Sequence, residues 1–168
     1  MADRLVYVNK TVSDGTATAL TVTGINTDDV YLLVLKLIQT QNNNETINLR
    51  VTKSGSTITN NYHRAFKILS SAGLSAGNYA GGSAARIMEN VDDANGGGQA
   101  IIHLLNFNSS SLYSSFTNET VCTVSNQSAG MAGGGVHKVS SASDGVTILG
   151  ASGGTFINGA SAILYRVT

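Results

Sequence analysis

The side chains of this chain best suited to chemistry are three histidines, two adjacent aspartate pairs and one cysteine. His63, His103 and His137 could serve as metal ligands or as a general base near neutral pH, but no two share the short spacing of a metal-binding pair. His103, between apolar neighbours, reads as a hydrogen-bonded sheet histidine. Asp28-Asp29 and Asp92-Asp93 offer carboxylates. Adjacent side chains in a strand project to opposite faces, so neither pair would converge on one proton there. In a loop they could gather around Ca²⁺. Asp92, Asp93 and Asn95 ahead of Gly96 have the opening of such a loop, yet the Glu that should close it is missing. A structural turn is expected, with no metal.

The remaining motifs are equally bare of chemistry. No Gly-x-Ser-x-Gly elbow presents a serine nucleophile. Gly96-Gly97-Gly98 and Gly133-Gly134-Gly135 lack the Lys-Ser/Thr of a phosphate-binding loop and read as flexible loop tips. Cys122 has no partner for a disulfide or thiolate zinc site and sits in an alternating run as a small core residue. There is no Trp to form a sugar platform. Tyr7, Tyr31, Tyr62 and Tyr165 are embedded in strand patterns, while Tyr79 and Tyr113 stand in less defined settings. No acid/base constellation is visible, so neither enzymatic activity nor a cofactor is expected. A depolymerase would need a carboxylate pair assembled by the fold.

Charge narrows the partners further. Ten basic residues balance ten acidic ones, and together they make up only 12% of the chain, about half the usual share. Without surplus Lys and Arg to displace phosphate counterions, nucleic acid is not an expected partner. The longest apolar run, Val30 to Leu35, is far too short to span a membrane. Met1-Ala2-Asp3-Arg4 leads straight into a strand-like run without the features of a signal peptide, so synthesis in the cytoplasm is expected. The Asn-x-Ser/Thr triplets at Asn9, Asn44, Asn108, Asn118 and Asn126 then follow from a polar composition alone.

Short apolar or alternating runs punctuated by Gly, Asn and Asp-Gly must hold these groups in place. Strands are expected over Arg4 to Thr11, Ala17 to Thr23, Val30 to Gln39 and Thr46 to Lys53, the last with Ile47, Leu49 and Val51 on one face. Turns fall at Asp14-Gly15 and Ser54-Gly55, and a short piece at Thr57 to Thr59. Tyr62 to Leu69 fits either a helical or a strand face, and the β-rich surroundings favour strand. Ser70 to Ser83 reads as a surface loop. Strands follow at Ala85 to Asn90, Gln99 to Phe107, Leu112 to Phe116 and Thr120 to Val124. Asn126 to Gly135 reads as a loop. Val136 to Ser140, Val146 to Leu149 and Ala160 to Val167 complete the series. About ten to twelve short strands in one unit, residues 1–168, predict an all-β, jelly-roll-like antiparallel β-sandwich.

One strand departs from the inside–outside alternation of a sandwich. Tyr31, Leu33, Leu35 and Leu37 share one face, and Leu32, Val34, Lys36 and Ile38 the other. Both faces are therefore expected to be covered, either by a loop such as Ser70 to Ser83 or by another subunit. The chain has no proline to guard its sheet edges, which leaves glycine-rich loops or subunit pairing for that task. In the last strand, Ile163, Tyr165 and Val167 are expected in the core, with Ala162, Leu164 and Arg166 opposite.

The segment from Gly153 to Val167, Gly-Gly-Thr-Phe-Ile-Asn-Gly-Ala-Ser-Ala-Ile-Leu-Tyr-Arg-Val, resembles the closing strand of tailed-bacteriophage virion surface proteins. Leu5-Val6-Tyr7-Val8, the Asp14-Gly15 turn and Tyr31-Leu32-Leu33-Val34 resemble the opening of the same modules. Glycine commonly follows the Leu-Tyr in those proteins, whereas Arg166 stands here. The resemblance implies a β-sandwich accessory protein of phage particles: a capsid decoration (cement) protein, a head fibre or a tail adhesin. With no shaft or stalk attached, a decoration protein is the first expectation, made in the host cytoplasm and placed on the virion surface. It would form a homotrimer bridging subunits of the major capsid protein through Met1, Ala2, Asp3, Arg4, Leu32, Val34 and Ile38. The alternative is a receptor- or glycan-binding tail or head-fibre module using the segments Asn126 to Gly135 and Ser70 to Ser83.

Overall fold

The computed structural model describes residues 4–70, 73–92, 97–124 and 127–168. Its strands are β1 (Leu5–Asp14), β2 (Ala19–Thr23), β3 (Tyr31–Ile38), β4 (Glu45–Lys53), β5 (Ser56–Thr57), β6 (Tyr62–Ser70) and β7 (Gly73–Gly82). There follow β8 (Ala85–Val91), β9 (Gly98–Leu105), β10 (Tyr113–Val124), β11 (Gln127–Ser140), β12 (Gly145–Gly150) and β13 (Asn158–Val167). They build an all-β, antiparallel, jelly-roll-like sandwich. The large sheet runs β1-β13-β3-β9-β10-β11-β6-β7, and the small one β2-β12-β4-β5, with β8 also paired to β4.

Alternation places the core. From the large sheet, Tyr31, Leu33, Leu35, Ile102, Leu104 and Leu164 point inward, and they meet Leu20, Val22, Ile47, Leu49, Val51 and Ile148 of the small sheet. The expected β4 face of Ile47, Leu49 and Val51 is thus correct. Two tyrosines reach across with their hydroxyls satisfied, as buried phenols require. Tyr31 Oη lies 2.7 Å from Thr27 Oγ1. Tyr62 Oη accepts the Val51 amide at 2.8 Å and donates to the Ile58 carbonyl at 2.9 Å, which pins β6 to the β4–β5 hairpin. Burial pushes its pKa up to about 12.

Two segments expected as loops are strands. Most of Ser70 to Ser83 is β7, an edge strand paired with β6 from Tyr62↔Gly82 to Ser70↔Gly73. Most of Asn126 to Gly135 belongs to β11, which lies between β10 and β6. Their Gly, Ala and Ser side chains give no hydrophobic period, so backbone pairing is what makes them strands. Gly133, Gly134 and Gly135 lie within β11 and are not loop tips. Likewise β10 continues through Asn118, where two strands were expected, because Asn118 is paired with Ile102 of β9 on one side and Gly133 of β11 on the other, and its buried side chain reaches the Ile87 carbonyl at 3.5 Å.

The faces of β13 are the reverse of the sequence expectation. Ala162 and Leu164 are fully buried, whereas Ile163, Tyr165 and Val167 lie on the partly exposed outer face. Pairing with β3 fixes this, since Leu164 opposes Leu33 and Ala162 opposes Leu35, both core residues.

Candidate functional site

The outer face of the large sheet carries an apolar stripe two residues deep. In one row Ile163 of β13 stands opposite Val34 of β3, and Val34 opposite Ile101 of β9. In the next, Tyr7 of β1 opposes Tyr165 and Tyr165 opposes Leu32. Tyr7 and Tyr165 meet edge to face with centroids 6.2 Å apart. Tyr7 is 59% and Ile101 49% exposed, so this is surface. The first row ends in a lysine on one side and a carboxylate on the other, because Lys10 opposes Ile163 and Glu119 opposes Ile101. A depression of about 460 Å³ lies over Val34, Ile101 and Val121.

The expected interface residues divide. Leu32 and Val34 lie on this outer face, half-buried, and β7 does not fold over them. Ile38 is corrected: it is a fully buried core residue. The β3–β9 register slips between Leu35 and Ile38, and Leu37 takes φ 53°. This bulge inverts the alternation, so Ile38 turns inward and Leu37 outward. Arg4 is exposed, and its amide donates to the Thr168 carbonyl at 2.8 Å, joining the two chain ends. Met1, Ala2 and Asp3 lie outside the described residues.

The groups considered for chemistry do not converge. Among the described residues, no three or more of His, Cys, Asp and Glu gather where they could share a metal ion. Asp29 accepts from Thr27 Oγ1 at 2.8 Å and lies 3.9 Å from Arg166 Nε. Asp92 is buried, while Asp93, Asn95 and Gly96 fall outside the described residues. His103 is exposed on the outer face between Leu32 and Thr117. Cys122 is buried as expected, its Sγ 3.7 Å from the Glu89 carbonyl, and burial pushes its thiol pKa up.

His137 is buried against the Tyr62 ring, centroids 5.0 Å apart, and neither ring nitrogen has a hydrogen-bond partner. Burial lowers its pKa. The unfolded chain therefore takes up a proton as pH falls through about 6.5, while the folded chain resists until a lower pH. Stability is complete above that range and declines as pH falls towards the folded value. Melting temperatures from pH 7.5 to 5 should drop for the wild type and drop less for His137→Leu. Equal slopes would show that His137 is not the source.

One site escaped sequence reasoning altogether. Arg64 on β6 and Arg86 on β8 meet at an open margin of the sandwich, beside Phe66 and Tyr79. They are 22 residues apart in sequence (86 − 64), and only the approach of β8 to β6 brings them together. The signal available was Tyr79, an aromatic in a Gly/Ala-rich segment.

No family model matches the chain, and no curated protein or solved structure is significantly similar to it.

Proposed function

We propose that this chain is a non-enzymatic virion structural protein, a capsid decoration (cement) protein that bridges major capsid subunits and stabilises the shell. The observation that supports it best is the apolar stripe of Ile163, Val34, Ile101, Tyr7, Tyr165 and Leu32 on a face that no other element covers among the described residues. Contiguous exposed apolar area favours docking against another protein, and the charges at Lys10 and Glu119 would fix register at its rim. Attachment in many copies supplies avidity, so each contact can be modest. The resemblance of the first and last strands to phage surface modules supplies the class of partner, and a homotrimer remains part of the proposal.

The test is to mix the purified protein with undecorated capsids of its virus and image them, alongside light scattering of the free protein. Regular density on the shell is expected for the wild type. Ile101→Lys should abolish it while shifting stability by less than about 0.5 kcal/mol, as for other surface changes. Bare shells with the wild type would overturn the reading.

A second reading, a receptor- or glycan-binding tail or head-fibre module, is favoured by one observation. Tyr79 is 54% exposed and stacks beside Arg64 at the mouth of a polar cleft.

A further inference from the structure

The two sheets part at one margin, where β6 and β7 face β4 and β8. The mouth between them is a cleft of about 340 Å³, walled by Thr46, Asn48, Arg64, Tyr79, Ser83 and Arg86. That is the lower end of the range for small-ligand sites. Its walls are braced from both sheets. Arg64 stands opposite Tyr79 across the β6–β7 ladder, and Asn48 opposite Arg86 across β4–β8. Arg50 Nε donates to the Ser83 carbonyl at 3.0 Å and holds the turn that closes one side.

The electrostatics of this cleft are unbalanced. Arg64 Cζ lies 5.7 Å from the Phe66 ring centre and 5.4 Å from that of Tyr79, and Arg86 Cζ lies 5.8 Å from Phe66. The rings stabilise the cations but do not neutralise them. Glu89 forms an ion pair with Arg86. Among the described residues Arg64 has no such partner, and the Nε atoms of both arginines are buried without a hydrogen-bond acceptor. Burial, and then the charge of Arg86, pull the Arg64 pKa down. Arg64 and Arg86 line the cleft and Arg50 braces its turn, against the single carboxylate of Glu89, so among the described residues the cleft carries net positive charge, and a buried donor without an acceptor is costly.

We propose that this cleft binds the carboxylate of an acidic sugar, a uronic or sialic acid residue of a glycan. The net positive charge suits an anionic group. A guanidinium fork matches a carboxylate with two parallel hydrogen bonds. The exposed ring of Tyr79 offers an apolar platform for the C–H face of a sugar, and Asn48, Thr46 and Ser83 supply donors and acceptors for its hydroxyls. This inference rests on the second reading of function and is independent of capsid docking.

The experiment is an NMR titration of the whole protein with methyl β-glucuronide and the methyl glycoside of N-acetylneuraminic acid. Methyl β-glucoside, which lacks the carboxylate, and sodium acetate, which lacks the sugar, are the controls. At least one acidic glycoside should saturate at about millimolar concentration and move the Arg64 and Tyr79 resonances. Both controls should bind about tenfold more weakly or worse. Arg64→Gln should lose the acidic glycoside by about tenfold without lowering the melting temperature, and Tyr79→Ala should weaken the glycoside but not acetate. Glucoside binding as tightly as glucuronide would overturn the carboxylate assignment while sparing glycan binding. Acetate binding as tightly as either would overturn the sugar. No saturation by any glycoside would overturn both the inference and the second reading.

Discussion

Leu164→Ala is expected to lower stability by about 2–5 kcal/mol, whereas Ile163→Ala next to it should cost less than about 1.5 kcal/mol. Leu164 is fully buried, opposite Leu33 in the large sheet, and truncating it leaves a cavity in a close-packed interior. Ile163 lies half-exposed on the outer face between Lys10 and Val34, where truncation removes little buried surface. Denaturant melts of the two variants measure the difference directly. A larger loss at Ile163 would mean that β13 has the opposite face inward, and the apolar stripe would then not be a surface.

The other large effect is expected at Gly134. A Cβ there would sit well under 3.0 Å from the Phe116 carbonyl oxygen, and those at Gly133 and Gly135 would press equally on the Ala65 and His63 carbonyls. Backbone cannot yield as a flexible side-chain tip can. Gly134→Ala should therefore cost about 1–3 kcal/mol and Gly134→Val more, by forcing β11 away from β10. Gly130 supplies the control in the same strand, because its nearest atom is the Thr120 carbonyl oxygen at an ordinary 3.6 Å. Gly130→Ala should be close to neutral. If Gly134→Ala were equally silent in a thermal melt, β11 would not be packed between β10 and β6 as described.

These two positions also mark where reading the chain fails. From Ala132 to Gly135 the sequence offers only alanine and glycine, which carry no hydrophobic period, and the strand exists through hydrogen bonds to partners that are remote in sequence. In β13 the period is clear, but both faces are apolar, so alternation cannot say which one is inside. The Arg64–Arg86 cleft was hidden for a third reason. Its residues come from β4, β6, β7 and β8, and each looks like an ordinary surface residue in its own strand.

Some of the protein was determined by its sequence alone. Alternation with Ile47, Leu49 and Val51 on one face, turn chemistry at Asp14-Gly15 and Ser54-Gly55, and closely spaced short runs were enough for an all-β sandwich. These are local signals: side-chain period, positive φ at glycine and segment length each act within a few residues. Tertiary structure decided the rest, because it depends on pairings between distant segments. The β13–β3 register chose which apolar face is buried, the bulge at Leu37 moved Ile38 into the core, and β8 brought Arg86 to Arg64. A strand carries two faces and two edges, and only its neighbours determine which of them meets solvent.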